Sequence, residues 1–101
     1  MLNGKQRAYL RSIANTIDTI LIIGKGGITE QVVKQADDAL TAREIIKGKV
    51  LENSELNSRQ VADQLSEVTS SDVVQVIGSK FVLYRPNPDE PQIKLPKANK
   101  R

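Results

Sequence analysis

The sequence predicts a single α/β domain with the element order α-β-α-β-α-β-β, in which a four-stranded mixed sheet is packed with helices. Three observations lead there. Short β-branched runs alternate with apolar stripes at helical spacing, which calls for helices against a sheet. The last two β-rich runs are parted only by Gly78-Ser79, the length of a tight hairpin loop. With 101 residues, 39% hydrophobic and 27% charged, the chain makes one domain, since two independently folding units would fall near the lower limit of self-supporting size.

The first helix is expected from about Asn3 to Thr16. Leu2, Tyr9, Leu10, Ile13 and Ile17 form its apolar stripe, and Asn3 with Gln6 three residues on makes a capping-box pair. Thr19 to Ile23 reads as a buried strand. A second helix should start at the N-cap Thr29, with Ile28 packed on Val33 as a staple, and run to Arg43. Along it Asp37 and Asp38 point about 100° apart, so they form no catalytic dyad and read as solvent-facing. Glu44 to Leu51 is a second strand, with Ile46, Gly48 and Val50 on one face and Ile45, Lys47 and Lys49 on the other. Asn53 to Asn57 is a polar loop. The third helix follows from Ser58 with Val61, Ala62, Leu65 and Val68 inward. Asp72 to Ile77 and Lys80 to Arg85 form the hairpin, and Pro86, lacking an N–H, ends it. Residues 1–86 thus make the folded domain. Residues 87–101 form a Pro-rich, basic tail in which only Ile93 and Leu95 could dock and the basic end is expected to move freely.

Composition removes whole classes of chemistry. The chain has neither cysteine nor histidine, so there is no disulfide scaffold, no thiol nucleophile, no imidazole base and no common zinc ligand. No cofactor is expected, and no grouping of carboxylates, lysines and tyrosines stands at a catalytic spacing. The longest apolar run, Ile20 to Ile23, is far short of the roughly 20 residues of a membrane span. No secretory signal follows Met1, and a cytoplasmic, non-enzymatic protein is expected. The net charge of +3 is unevenly placed: residues 1–29 carry four bases against Asp18, residues 30–72 carry nine acids against five bases, and residues 94–101 carry four bases.

Gly24-Lys25-Gly26-Gly27 stands between the first strand and the second helix. Three glycines in four positions admit positive φ and let a ligand reach the backbone. The following helix offers free amides and a positive dipole end, and Lys25 adds a cation. The spacing is neither that of a P-loop nor of a dinucleotide fingerprint, because Thr29 stands where the last glycine of the latter belongs. It is a G-x-x-G loop, the type that clamps single-stranded nucleic acid in KH domains. Arg7 and Arg11 share the polar face of the first helix and could extend such a contact if that helix packs beside the loop.

Several segments in register resemble the CRM domain family (chloroplast RNA splicing and ribosome maturation) in its stand-alone bacterial, YhbY-like form. They are Leu2 to Arg11 as a basic opening helix, Ile22 to Thr29 as strand, loop and helix start, Glu44 to Val50 as second strand, and Val74 to Gly78 with Phe81 to Pro86 as closing hairpin. Gly48 departs from the resemblance, standing where a larger residue is expected. The resemblance implies a fold similar to the C-terminal domain of translation initiation factor three. It also implies a non-catalytic RNA-binding module that contacts ribosomal RNA and associates with precursors of the large (50S) subunit; neither DNA nor membrane is an expected partner.

The residues expected at the RNA are Gly24, Lys25, Gly26 and Gly27, with Lys5, Arg7, Arg11, Lys80 and Arg85 around them. Tyr9 and Phe81 are expected in the core, which leaves recognition to backbone and shape rather than stacking. The competing reading is a protein-interaction adaptor that uses the acidic second and third helices or the hairpin edge.

Overall fold

A computed structural model describes residues 2–96. The elements, in order, are α1 (Gly4–Ala14), β1 (Thr19–Ile23), α2 (Glu30–Arg43), β2 (Ile45–Val50), α3 (Ser58–Thr69), β3 (Asp72–Ile77) and β4 (Lys80–Tyr84). The order is the predicted one, and the expected caps at Asn3 and Thr29 are present. The Asn3 carboxamide accepts from the Gln6 amide at 2.8 Å, while the Gln6 side chain accepts from the Asn3 amide at 3.2 Å. Asn57 and Gln60 repeat the box at α3, and the Thr29 hydroxyl accepts from Val32 at α2.

The sheet order is β1-β2-β4-β3. β1 and β2 run parallel, joined through α2, and β4 is antiparallel to both β2 and β3. The C-terminal ends of β1 and β2 and the β3–β4 turn therefore meet at one end of the sheet. In that turn Gly78 takes a φ of +58°, which a hairpin loop with glycine in its first central position requires.

Each face of the sheet has its own core. Under α2 and α3 lie Leu21, Ile23, Ile46, Val50, Phe81 and Leu83 with Ala36, Leu40, Val61, Ala62 and Leu65. Under α1 lie Ile45, Val74, Val82 and Tyr84 with Leu10 and Ala14, and Ile93 and Leu95 pack against them. Gly48 has a steric cause: a Cβ there would stand 2.3 Å from Cζ of Phe81, which faces it across the β2–β4 ladder. The aromatic ring fills the space a larger residue would take.

The stripes are narrower than periodicity implies. Tyr9 is 42% exposed and Val68 59%, so neither is core. The buried line of α3 runs through Val61, Ala62, Leu65 and Thr69 and leaves Val68 on its flank.

The segment after Pro86 is tied to the domain by a buried carboxylate. Glu44, at the C-cap of α2 with a φ of 68°, accepts from the backbone amides of Asn87 (2.6 Å), Gln92 (2.8 Å) and Ile93 (2.6 Å). The Pro96 carbonyl accepts from the Gln6 side chain at 3.0 Å. The basic end at 97–101, expected to move freely, lies outside the described residues.

Candidate nucleic-acid interface

The Gly24–Gly27 loop is a tight turn closed by a hydrogen bond from the Gly27 amide to the Gly24 carbonyl at 3.0 Å. Lys25 and Gly26 are its central residues, both exposed. Gly27 has a φ of +72°, so the turn itself requires glycine there. The other two glycines are not required in this way. A Cβ on Gly24 would meet Leu51 at 3.5 Å and one on Gly26 would meet Thr29 at 3.8 Å, both ordinary contacts. Two glycines beyond the folding requirement leave the backbone of an exposed turn bare beside a lysine.

Two details differ from the sequence expectation. The Gly27 amide is occupied in closing the turn, so it is not free to bind a phosphate. The start of α2 is also less anion-seeking than a bare helix end, because the Thr29 hydroxyl satisfies Val32 and Glu30 places a carboxylate in the first turn. Lys25 and the outward backbone of Gly24–Gly26 remain as the candidate seat.

The remaining predicted residues do not gather round the turn. Lys80 opens β4 at the same end of the sheet and is exposed; β4 lies two strand spacings, about 10 Å, from β1. Arg7 and Arg11 lie elsewhere, because α1 packs toward β2, β4 and β3. The Arg7 guanidinium donates to the Val73 carbonyl, at the end of β3 remote from the turn and on the sheet edge opposite β1. Arg11 continues along that edge, and the two are joined by Arg59 of α3 around an open cavity of about 620 Å³. Lys5 is exposed in the first turn of α1, beside the Gln6 that holds Pro96.

Arg85 is engaged within the protein. Its guanidinium donates to Asp37 Oδ1 (2.6 Å), the Asp37 carbonyl (3.0 Å), Thr41 Oγ1 (2.8 Å) and the Thr69 carbonyl (2.8 Å). It therefore ties β4 to α2 and α3 instead of facing a ligand. Asp37 is correspondingly an ion-pair partner and Asp38 pairs with Lys34 at 3.0 Å, so neither is merely solvated.

Lys49 is the residue that sequence reasoning passed over. It pairs directly with Lys80 across the β2–β4 ladder, and both are exposed. The alternation of β2 marks the face of Lys49, but only the sheet register puts a second lysine opposite. Among the described residues there is no group of three or more carboxylates that could hold a metal ion, and no helix long and apolar enough to cross a membrane.

The CRS1 / YhbY (CRM) domain matches the chain over residues 2–85. Over 96 residues the chain is 44% identical to the "Probable RNA-binding protein YqeI" of Bacillus subtilis, covering 95% of this chain and all of that one. It is 32% identical to an "RNA-binding protein" of Haemophilus influenzae, covering 95% and 96% of the two. The fold is similar to the solution structure of the hypothetical protein SAV1595 from Staphylococcus aureus, with a TM-score of 0.79 and 52% identity over 95% of this chain and all of that one. The expectation from the loop and the opening helix is met at the level of family, and the chain belongs to the CRS1 / YhbY (CRM) domain family.

Proposed function

We propose that this chain is a non-catalytic RNA-binding protein that acts in the cytoplasm on precursors of the large ribosomal subunit, and that the Gly24–Gly27 turn grips the sugar–phosphate backbone of ribosomal RNA. The reading is carried by one observation: an exposed turn whose fold needs glycine at Gly27 alone also has glycine at Gly24 and Gly26, with Lys25 at its apex. Bare backbone and a mobile cation suit a repeating anion that is gripped without regard to base. The names of the two relatives above, one a probable RNA-binding protein and the other an RNA-binding protein, support the same class of ligand.

Reversing the charge at the apex tests it. Lys25→Glu should weaken binding to a structured ribosomal RNA fragment about tenfold and flatten the log–log salt dependence by the share of about one or two phosphates, with an unchanged melting temperature. Equal affinity would remove the turn from the mechanism. Co-sedimentation tests the particle: the protein should travel with large-subunit precursors and leave them on nuclease treatment. Retention on protein after nuclease would favour the adaptor reading, for which exposed Val68 beside Ile28 and Val33 is the surface.

A further inference from the structure

The sheet face under α1 is only half covered. Beyond Val82 and Val74, toward the turn end, one row crosses all four strands without a helix above it. Ile22 of β1 pairs with Lys49 of β2, Lys49 with Lys80 of β4, and Lys80 with Ile77 of β3. All four side chains are exposed, Ile22 at 50% and Ile77 at 63%. Leu51, 38% exposed, extends the patch to the turn, lying against Gly24. Of the five large apolar side chains exposed among the described residues, three are in this patch.

The row is costly as a free surface. Like charges directly opposite on antiparallel strands repel, and no acidic residue stands in the row between the two isoleucines. A ligand that relieves both features must bring negative charge at short intervals together with apolar faces. Duplex RNA presents its phosphates and 2′-hydroxyls but keeps its base faces stacked inside, whereas an unpaired segment offers phosphates and unstacked bases at once. The patch also adjoins Gly24, so a strand held at the turn continues onto it without a gap.

We infer that this open half of the sheet is a second contact surface for RNA and that it selects unpaired RNA. Lys49 and Lys80 hold phosphates, while Ile22, Leu51 and Ile77 pack against bases and riboses. This rests on the RNA-binding reading above and assigns it a substrate form and a second site.

The experiment compares a short oligouridine with an RNA hairpin duplex by fluorescence anisotropy, using the full chain, Lys25→Glu, the double variant Lys49→Gln/Lys80→Gln and the double variant Ile22→Ser/Ile77→Ser. The lysine variant should bind oligouridine more weakly, with a salt slope lower by about 0.7 for each phosphate it no longer neutralises. Its melting temperature should not fall, because the repulsion is relieved. The isoleucine variant should lose affinity for oligouridine and keep its affinity for the duplex. Wild-type affinity in both sheet variants, with Lys25→Glu weakened, overturns the second site and leaves the turn standing. Weaker binding in the sheet variants with Lys25→Glu unaffected upholds the second site and overturns the turn. Equal weakening on oligouridine and duplex in the isoleucine variant overturns the selection for unpaired RNA, as does capture of an acidic protein by the patch with RNA affinity unchanged.

Discussion

The two faces of the sheet are built for different ends. On one, α2 and α3 lie side by side and close over Leu21, Ile23, Ile46, Val50, Phe81 and Leu83, with five acids against three bases along the two helices. On the other, a single helix of 11 residues, about 16 Å long at 1.5 Å per residue, shares the work with the segment held by Glu44. It leaves Ile22, Lys49, Lys80 and Ile77 bare, and its own Lys5, Arg7 and Arg11 add to the positive side. Residues 2–96 hold as many acids as bases, so on the proposed reading it is the separation of charge across the sheet, not its total, that would distinguish an RNA-facing side from a supporting one.

The comparison breaks most sharply at Gly48. Gly48→Val should overpack the closed face against Phe81 and cost about 3 kcal/mol, lowering the melting temperature by roughly 12–24 °C. A shift of only a few degrees would mean that the Phe81 ring can move aside. Next, Glu44→Ala should orphan three backbone amides and cost about 2–3 kcal/mol. Hydrogen exchange should show the amides of Asn87, Gln92 and Ile93 losing protection while those of α2 and α3 keep theirs, since the cost falls on the face under α1.

Arg85 and Lys80 then sharpen the contrast: Lys80 opens β4 and Arg85 follows its last residue, yet on the proposed reading only Lys80 meets RNA. Arg85→Gln should lose about 1–2 kcal/mol, since the charged fork that holds Asp37, Thr41 and Thr69 is broken, and should leave RNA affinity unchanged in anisotropy titrations. The smallest effect is alkaline. Burial, and secondarily the carboxylates of Glu44 and Asp72, push the Tyr84 phenol above its usual value of 10.0. A group raised on folding stabilises fully below its unfolded value and loses that contribution as pH rises through the folded one. Stability should therefore hold up to about pH 10 and fall above it, and Tyr84→Phe should blunt the fall when melting is followed against pH.

Local signals carried the fold. The caps at Asn3 and Thr29, the Gly78 turn and most of each apolar run are written within a few residues of where they act, and the structure has them there. The site was legible only in part, because its other members depend on packing that no local pattern encodes. That Arg7 turns to Val73 depends on where α1 lands; that Arg85 is spent on Asp37 depends on two elements far apart in sequence. Lys49 gains its meaning only from the register that sets Lys80 opposite. Glu44 is the extreme case, an acid at a helix end that looks like surface and is fully buried because a later segment folds its amides around it.

The hydrogen bond between Gly27 and Gly24 has a kinetic corollary. Because the turn is closed by this bond in the free chain, on the proposed reading docking there would freeze less of the loop at encounter than an open one would require. On the proposed reading, stopped-flow traces at low salt should rise in one exponential whose rate climbs linearly with RNA concentration, the mark of a preorganised seat that captures its ligand in a single step.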